Sequence, residues 1–89
     1  MAQFKNVWDA LEEDPVKREN LKIRSHLMIE INAKIDEGRY IQKDLASLLS
    51  ISQPRVSALR QGKINDFRLD MLVDIATRLG LHVSLAVAA

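Results

Sequence analysis

The spacing of apolar positions divides the chain into two kinds of segment. Leu27, Met28, Ile31 and Ile35 recur at three- and four-residue intervals, with Leu21 or Ile23 continuing the stripe upstream. That period belongs to one face of an α-helix. Asp14 followed by Pro15 supplies an N-cap and a first-turn proline, whose missing N–H costs nothing there. Gly38 follows the last apolar position and reads as the residue that ends the helix. A long helix over 15–37 is predicted. Three shorter ones follow. Gln42 to Leu49 presents Leu45, Leu48 and Leu49; Gln53 to Gln61 presents Val56 and Leu59; Leu69 to Leu79 presents Leu72, Ile75, Ala76 and Leu79, with Gly80 closing it. Near the N-terminus, Asn6 ahead of "VWDAL" with Asp9 three residues on predicts a short capped helix.

The last segment, "LHVSLAV", follows a different rule. Val83, Leu85 and Val87 alternate with His82, Ser84 and Ala86, the period of a half-buried strand. A lone strand leaves a row of unpaired N–H and C=O groups. The simplest partner is the same strand of a second copy, paired antiparallel across a two-fold axis. A homodimer closed by Val83, Leu85 and Val87 is therefore expected. The chain divides into an N-terminal segment (1–14), a helical domain (15–80) and a C-terminal dimerisation strand (81–89).

Composition narrows the function. The 89 residues suit one small domain. The chain has no cysteine, so no disulfide frame and no thiolate chemistry. No apolar run is long enough to span a bilayer, and the first residues are not a signal peptide, so a cytoplasmic protein with no membrane partner is expected. The net charge is only +1, but it is unevenly spread. Residues 39–63 carry Arg39, Lys43, Arg55, Arg60 and Lys63 against Asp44 alone. A phosphate-binding surface needs this asymmetry. His26 and His82 lie far apart, and no metal-ligand spacing, nucleophile–base pair or glycine-rich phosphate loop is present. No enzyme activity, metal or cofactor is expected.

Residues 42–61 meet the requirements of a helix-turn-helix. Ala46 is small where the second helix must cross the first, and Ser50 stands at the turn. Val56 and Leu59 face inward, and Ser52 offers a cap oxygen. With Ser52 as N-cap, Pro54 lies in the first turn and breaks no intrahelical bond. A helix of this kind reads base edges from its N-terminal half. The base-contacting candidates are Gln53, Pro54, Arg55, Ser57 and Ala58. Glutamine pairs bidentately with adenine and arginine with guanine. The phosphate-contacting candidates are Gln42, Lys43, Ser52, Arg60, Gln61 and Lys63, through charge, amide groups and helix N-termini.

"QKDLASLLSISQPRVSALRQGKI" resembles the Xre/Cro-type helix-turn-helix family, the phage-repressor fold of about five helices. From Phe4 to Leu85, "FKNVWDALEEDPVKRENLKIRSHLM" and "FRLDMLVDIATRLGLHVSL" around that motif are similar to a HigA-type antitoxin. The resemblance implies an all-α domain. It also implies a homodimer that represses its own operon on palindromic double-stranded DNA and neutralises a RelE-like (HigB-type) toxin. In such proteins the glutamine opening the first motif helix, here Gln42, braces the glutamine opening the second, here Gln53, together with a phosphate. The main base-reading positions fall on Gln53, Pro54 and Ala58, two of which offer no side-chain hydrogen bond. Two positions depart from the family's pattern: Ser50 stands where glycine is usual, and Ile41 where threonine or serine would cap the helix. The N-terminal stretch contacts toxin in some members, which implicates Val7, Trp8 and Leu11. A stand-alone repressor without a toxin, or an interaction module with weak DNA binding, are the other readings.

Overall fold

A computed structural model describes residues 14–89. The short helix predicted after Asn6 lies outside the described residues, as do Val7, Trp8 and Leu11. Within them the chain is all-helical. Four α-helices, α1 (Pro15–Glu37), α2 (Gln42–Leu49), α3 (Gln53–Arg60) and α4 (Leu69–Arg78), are joined by short loops, with a 3₁₀ turn at Ile64–Asp66 ahead of α4. α1 starts as predicted: Pro15 sits in the first turn, and Val16 N–H donates to Asp14 Oδ1 at 2.9 Å. Its buried stripe, Leu21, Ser25, Met28, Ile31 and Ile35, lies against α4, whose Leu72, Ile75 and Ala76 are buried in return. Leu45 and Leu49 of α2, Val56 and Leu59 of α3, and Phe67 complete one core.

Three helices end in the same way. In each, one N–H past the last turn reaches back five residues, and the N–H before it reaches back three. After α2 these bonds run from Ile51 to the Ala46 carbonyl (3.1 Å) and from Ser50 to Ser47 (3.2 Å). After α3 they run from Lys63 to Ala58 (3.0 Å) and Gly62 to Leu59 (3.2 Å). After α4 they run from Leu81 to Ala76 (2.9 Å) and Gly80 to Thr77 (3.0 Å). This motif needs a left-handed residue at its centre. Gly62 (φ 76°) and Gly80 (φ 87°) supply it without a Cβ penalty, and Ser50 (φ 58°) does so with one. Ser50→Gly is expected to raise stability by up to about 1 kcal/mol, or roughly 4–8 °C in melting temperature for a domain of this size. An unchanged or lower melting temperature in a thermal scan would show that Ser50 bears no such strain.

Gly38 ends α1 as expected, and the C-terminal strand is corrected. Gly38 ends α1 in an extended conformation (φ −92°, ψ 165°), so it needs no positive φ. A Cβ there would meet the ring of Tyr40, an exposed side chain that would have to shift. The strand predicted near the C-terminus is not formed within the chain. A strand exists only in a ladder, and the described residues offer no sheet edge. Residues 81–89 instead leave the domain as a tail. Leu81 packs on the core, while Val83, Leu85 and Val87 are 45%, 82% and 87% exposed. Among the described residues, no helix is long and apolar enough to cross a membrane.

Candidate nucleic-acid interface

The α2–α3 pair forms the helix-turn-helix, with Gln53, Pro54, Arg60 and Gln61 of α3 and its end exposed. Ala46 is only 8% exposed, which agrees with a small residue at a close crossing. The turn between the helices is set by Ser50 and held by the Ile51 and Ser50 amides. Ser52 then caps α3: Arg55 N–H donates to Ser52 Oγ at 3.3 Å, with Pro54 in the first turn. Gln42 Nε2 donates to the Gln53 carbonyl at 2.9 Å. The first residue of α2 therefore holds the first residue of α3 by its backbone and leaves the Gln53 amide exposed.

At 3.6 residues per turn, successive side chains on α3 are about 100° apart. Val56 and Leu59 point into the core and define its inner side. Gln53, Pro54, Ser57, Ala58 and Gln61 fall on the outer half. Gln53, Pro54 and Gln61 are exposed; Ser57 and Ala58 are half-buried, Ala58 against the edge of the core. Gln61 Nε2 donates to Ser57 Oγ at 2.9 Å, so these two amide and hydroxyl groups form one polar unit.

The two arginines of α3 are placed differently from the other candidates. Arg55, expected at base edges, is half-buried and turned toward the 3₁₀ turn and α4. Its guanidinium lies 4.6 Å from the centroid of the Phe67 ring. It donates to the Asp66 carbonyl at 2.9 Å and points at Met71 Sδ at 3.6 Å. Arg60, expected at a phosphate, is turned toward α1. It donates to Asn32 O (3.2 Å) and Asn32 Oδ1 (2.8 Å) and forms an ion pair with Asp36. Each guanidinium has found carbonyl or carboxylate acceptors inside the fold, which composition alone does not reveal.

The remaining cations stay outward. Arg39, Lys43 and Lys63 are exposed, and among the described residues no ion pair forms with any of them. Lys43 lies in the first turn of α2, where Ile41 provides no side-chain cap. The first-turn amides of α2 thus have no intrahelical partner, and Lys43 and the Asp44 carboxylate share that turn.

Sequence reasoning missed two residues that hold the arrangement together. Arg24 of α1 donates from one nitrogen to the Ile64 and Phe67 carbonyls, both at 3.1 Å, and from Nε to Asn20 Oδ1. Asn32 donates from Nδ2 to the Leu59 carbonyl at 3.0 Å, near the end of α3. Both sit mid-helix, where a polar residue gives no signal beyond an exposed face. Of the dimerisation candidates, Val83 and Leu85 border an apolar groove lined by Ile23, Leu27, Leu69 and Val73, with His26 at its rim.

A comparison with curated protein sequences finds no match. Residues 10–88 match the family described as "Helix-turn-helix domain", a span that includes every helix described above. The chain belongs to this helix-turn-helix domain family.

Proposed function

We propose that this protein is a sequence-specific DNA-binding transcription regulator that works as a homodimer on a two-fold symmetric site. The observation that carries this reading is the braced α2–α3 pair. It exposes the Gln53 side chain at the start of α3, with Lys43 in the first turn of α2 and Lys63 just past the end of α3 both exposed and, among the described residues, in no ion pair. Gln53 would read a base edge in the major groove, and the lysines and the start of α2 would grip phosphates. No catalytic step is part of this proposal.

The dimer rests on the tail. Val83, Leu85 and Val87 are exposed, and Val83 and Leu85 border an apolar groove that also contains Leu27 and Val73. Pairing the tails of two copies would satisfy their backbone groups and cover this surface. Selection of duplexes from a random-sequence pool tests both parts. The full chain is expected to enrich a two-fold symmetric site, and a chain ending at Gly80 only a half-site, with far weaker binding. No enrichment by the full chain would refute the DNA-reading role. Unchanged enrichment by the shortened chain would refute the tail-paired dimer.

We further infer an antitoxin that represses its own operon and neutralises a RelE-like toxin in the cytoplasm. Support comes from the HigA-type resemblance running from Phe4 to Leu85, beyond the helix-turn-helix itself. Copurification with the product of an adjacent reading frame tests this part. If no such frame exists, a stand-alone repressor is the reading that survives.

A further inference from the structure

We propose that Arg55 and Arg60 are positioning residues that fix the rotation of α3 about its own axis, and that neither contributes a DNA contact. This rests on the DNA-reading role proposed above. The two side chains leave α3 five positions apart, about 140° around the helix. They stand as shoulders on either side of the buried Val56–Leu59 stripe. Arg55 ties one shoulder to Phe67, Asp66 and Met71; Arg60 ties the other to Asn32 and Asp36 of α1. Asn32 closes the second tie by donating to the Leu59 carbonyl.

Rotation matters because base readout is a matter of ångströms. A side-chain tip about 5–6 Å from the helix axis moves about 2 Å when the helix turns by about 20°. A hydrogen bond does not survive that displacement. Energy alone does not explain the Arg60 tie. Its side chain is 37% exposed and that of Asp36 64%, and pairs this exposed add little stability. What the guanidinium supplies is a planar fork able to hold two Asn32 oxygens and the Asp36 carboxylate at once. Two of its nitrogens are committed to these three acceptors. Arg55 likewise rests on the face of Phe67 and donates to the Asp66 carbonyl.

The test measures affinity for the enriched duplex and for a scrambled duplex across a salt series. It uses the full chain and its Arg55→Gln, Arg60→Gln, Arg60→Lys and Lys63→Gln variants. For Arg55→Gln and Arg60→Gln the slope of log K against log salt is expected to match wild type, while the ratio of the two affinities falls several-fold. Arg60→Lys keeps the charge without the fork and is expected to lose the ratio equally. Lys63→Gln is expected to lower the slope by roughly 0.9 for each phosphate left without its lysine and to leave the ratio intact. A slope lowered in Arg60→Gln and restored in Arg60→Lys would make Arg60 a phosphate contact and overturn the proposal. An unchanged ratio in Arg55→Gln and Arg60→Gln would also overturn it. If wild type itself showed no preference between the duplexes, the DNA-reading role would fail first and separately.

Discussion

Replacing Phe67 with alanine is expected to remove about 3–5 kcal/mol of stability, out of a total that for domains is about 5–15 kcal/mol. Phe67 is fully buried and heads the largest side chains of the core. It stands in the short link between α3 and α4, where the 3₁₀ turn hands over to extended backbone. A cavity there touches more than apolar packing. The Arg55 guanidinium loses the ring face it rests on, and the Arg24 nitrogen that reaches the Phe67 carbonyl holds a looser loop. Cation–π contacts are worth about 0.5–2 kcal/mol, so the loss should fall toward the upper part of the range. Phe67→Leu keeps most of the apolar area and should cost well under half as much. Urea denaturation followed by circular dichroism gives both values. A Phe67→Ala midpoint near that of wild type would mean that Phe67 contributes little to the core.

The second large effect concerns recognition and leaves the fold untouched. Gln53→Ala is expected to cost about 1–3 kcal/mol of discrimination per half-site, the value of one good bidentate base contact. Pro54 and Ala58 have no hydrogen-bonding side chain, and Ser57 is engaged with Gln61. Gln53 is therefore the main side chain of the outer face with its polar group uncommitted. The substitution is clean because the Gln42 brace ends on the Gln53 backbone carbonyl and the cap comes from Ser52. Neither depends on the Gln53 side chain. Affinity for unrelated DNA should hardly change, since no charge is removed.

Much of this molecule was legible in its sequence, and the reason is locality. The bounds of α1 and α2 are those predicted, and α3 and α4 end one residue earlier. Caps, first-turn prolines and left-handed terminators act within a few residues of themselves. Asp14, Ser50 and Ser52 do what their positions require. The brace of Gln42 on Gln53 came from the family resemblance, and the geometry agrees with it. What was not legible lies in contacts that no local pattern records. Arg55 and Arg60 count as surface charge in any composition, yet the acceptors that hold them lie 11 to 28 residues away in the chain. The alternating tail carries the period of a strand without a ladder inside the chain to complete it.

The most direct measurement of the central claim is the ratio of dissociation constants for the enriched and scrambled duplexes, in wild type and Gln53→Ala, at one fixed salt concentration. A wild-type ratio of roughly 10³ or more is expected for a specific binder. In Gln53→Ala it should fall by at least about tenfold, with affinity for the scrambled duplex unchanged. Equal ratios for the two proteins would contradict the account, because the outer face of α3 would then not be what reads the DNA.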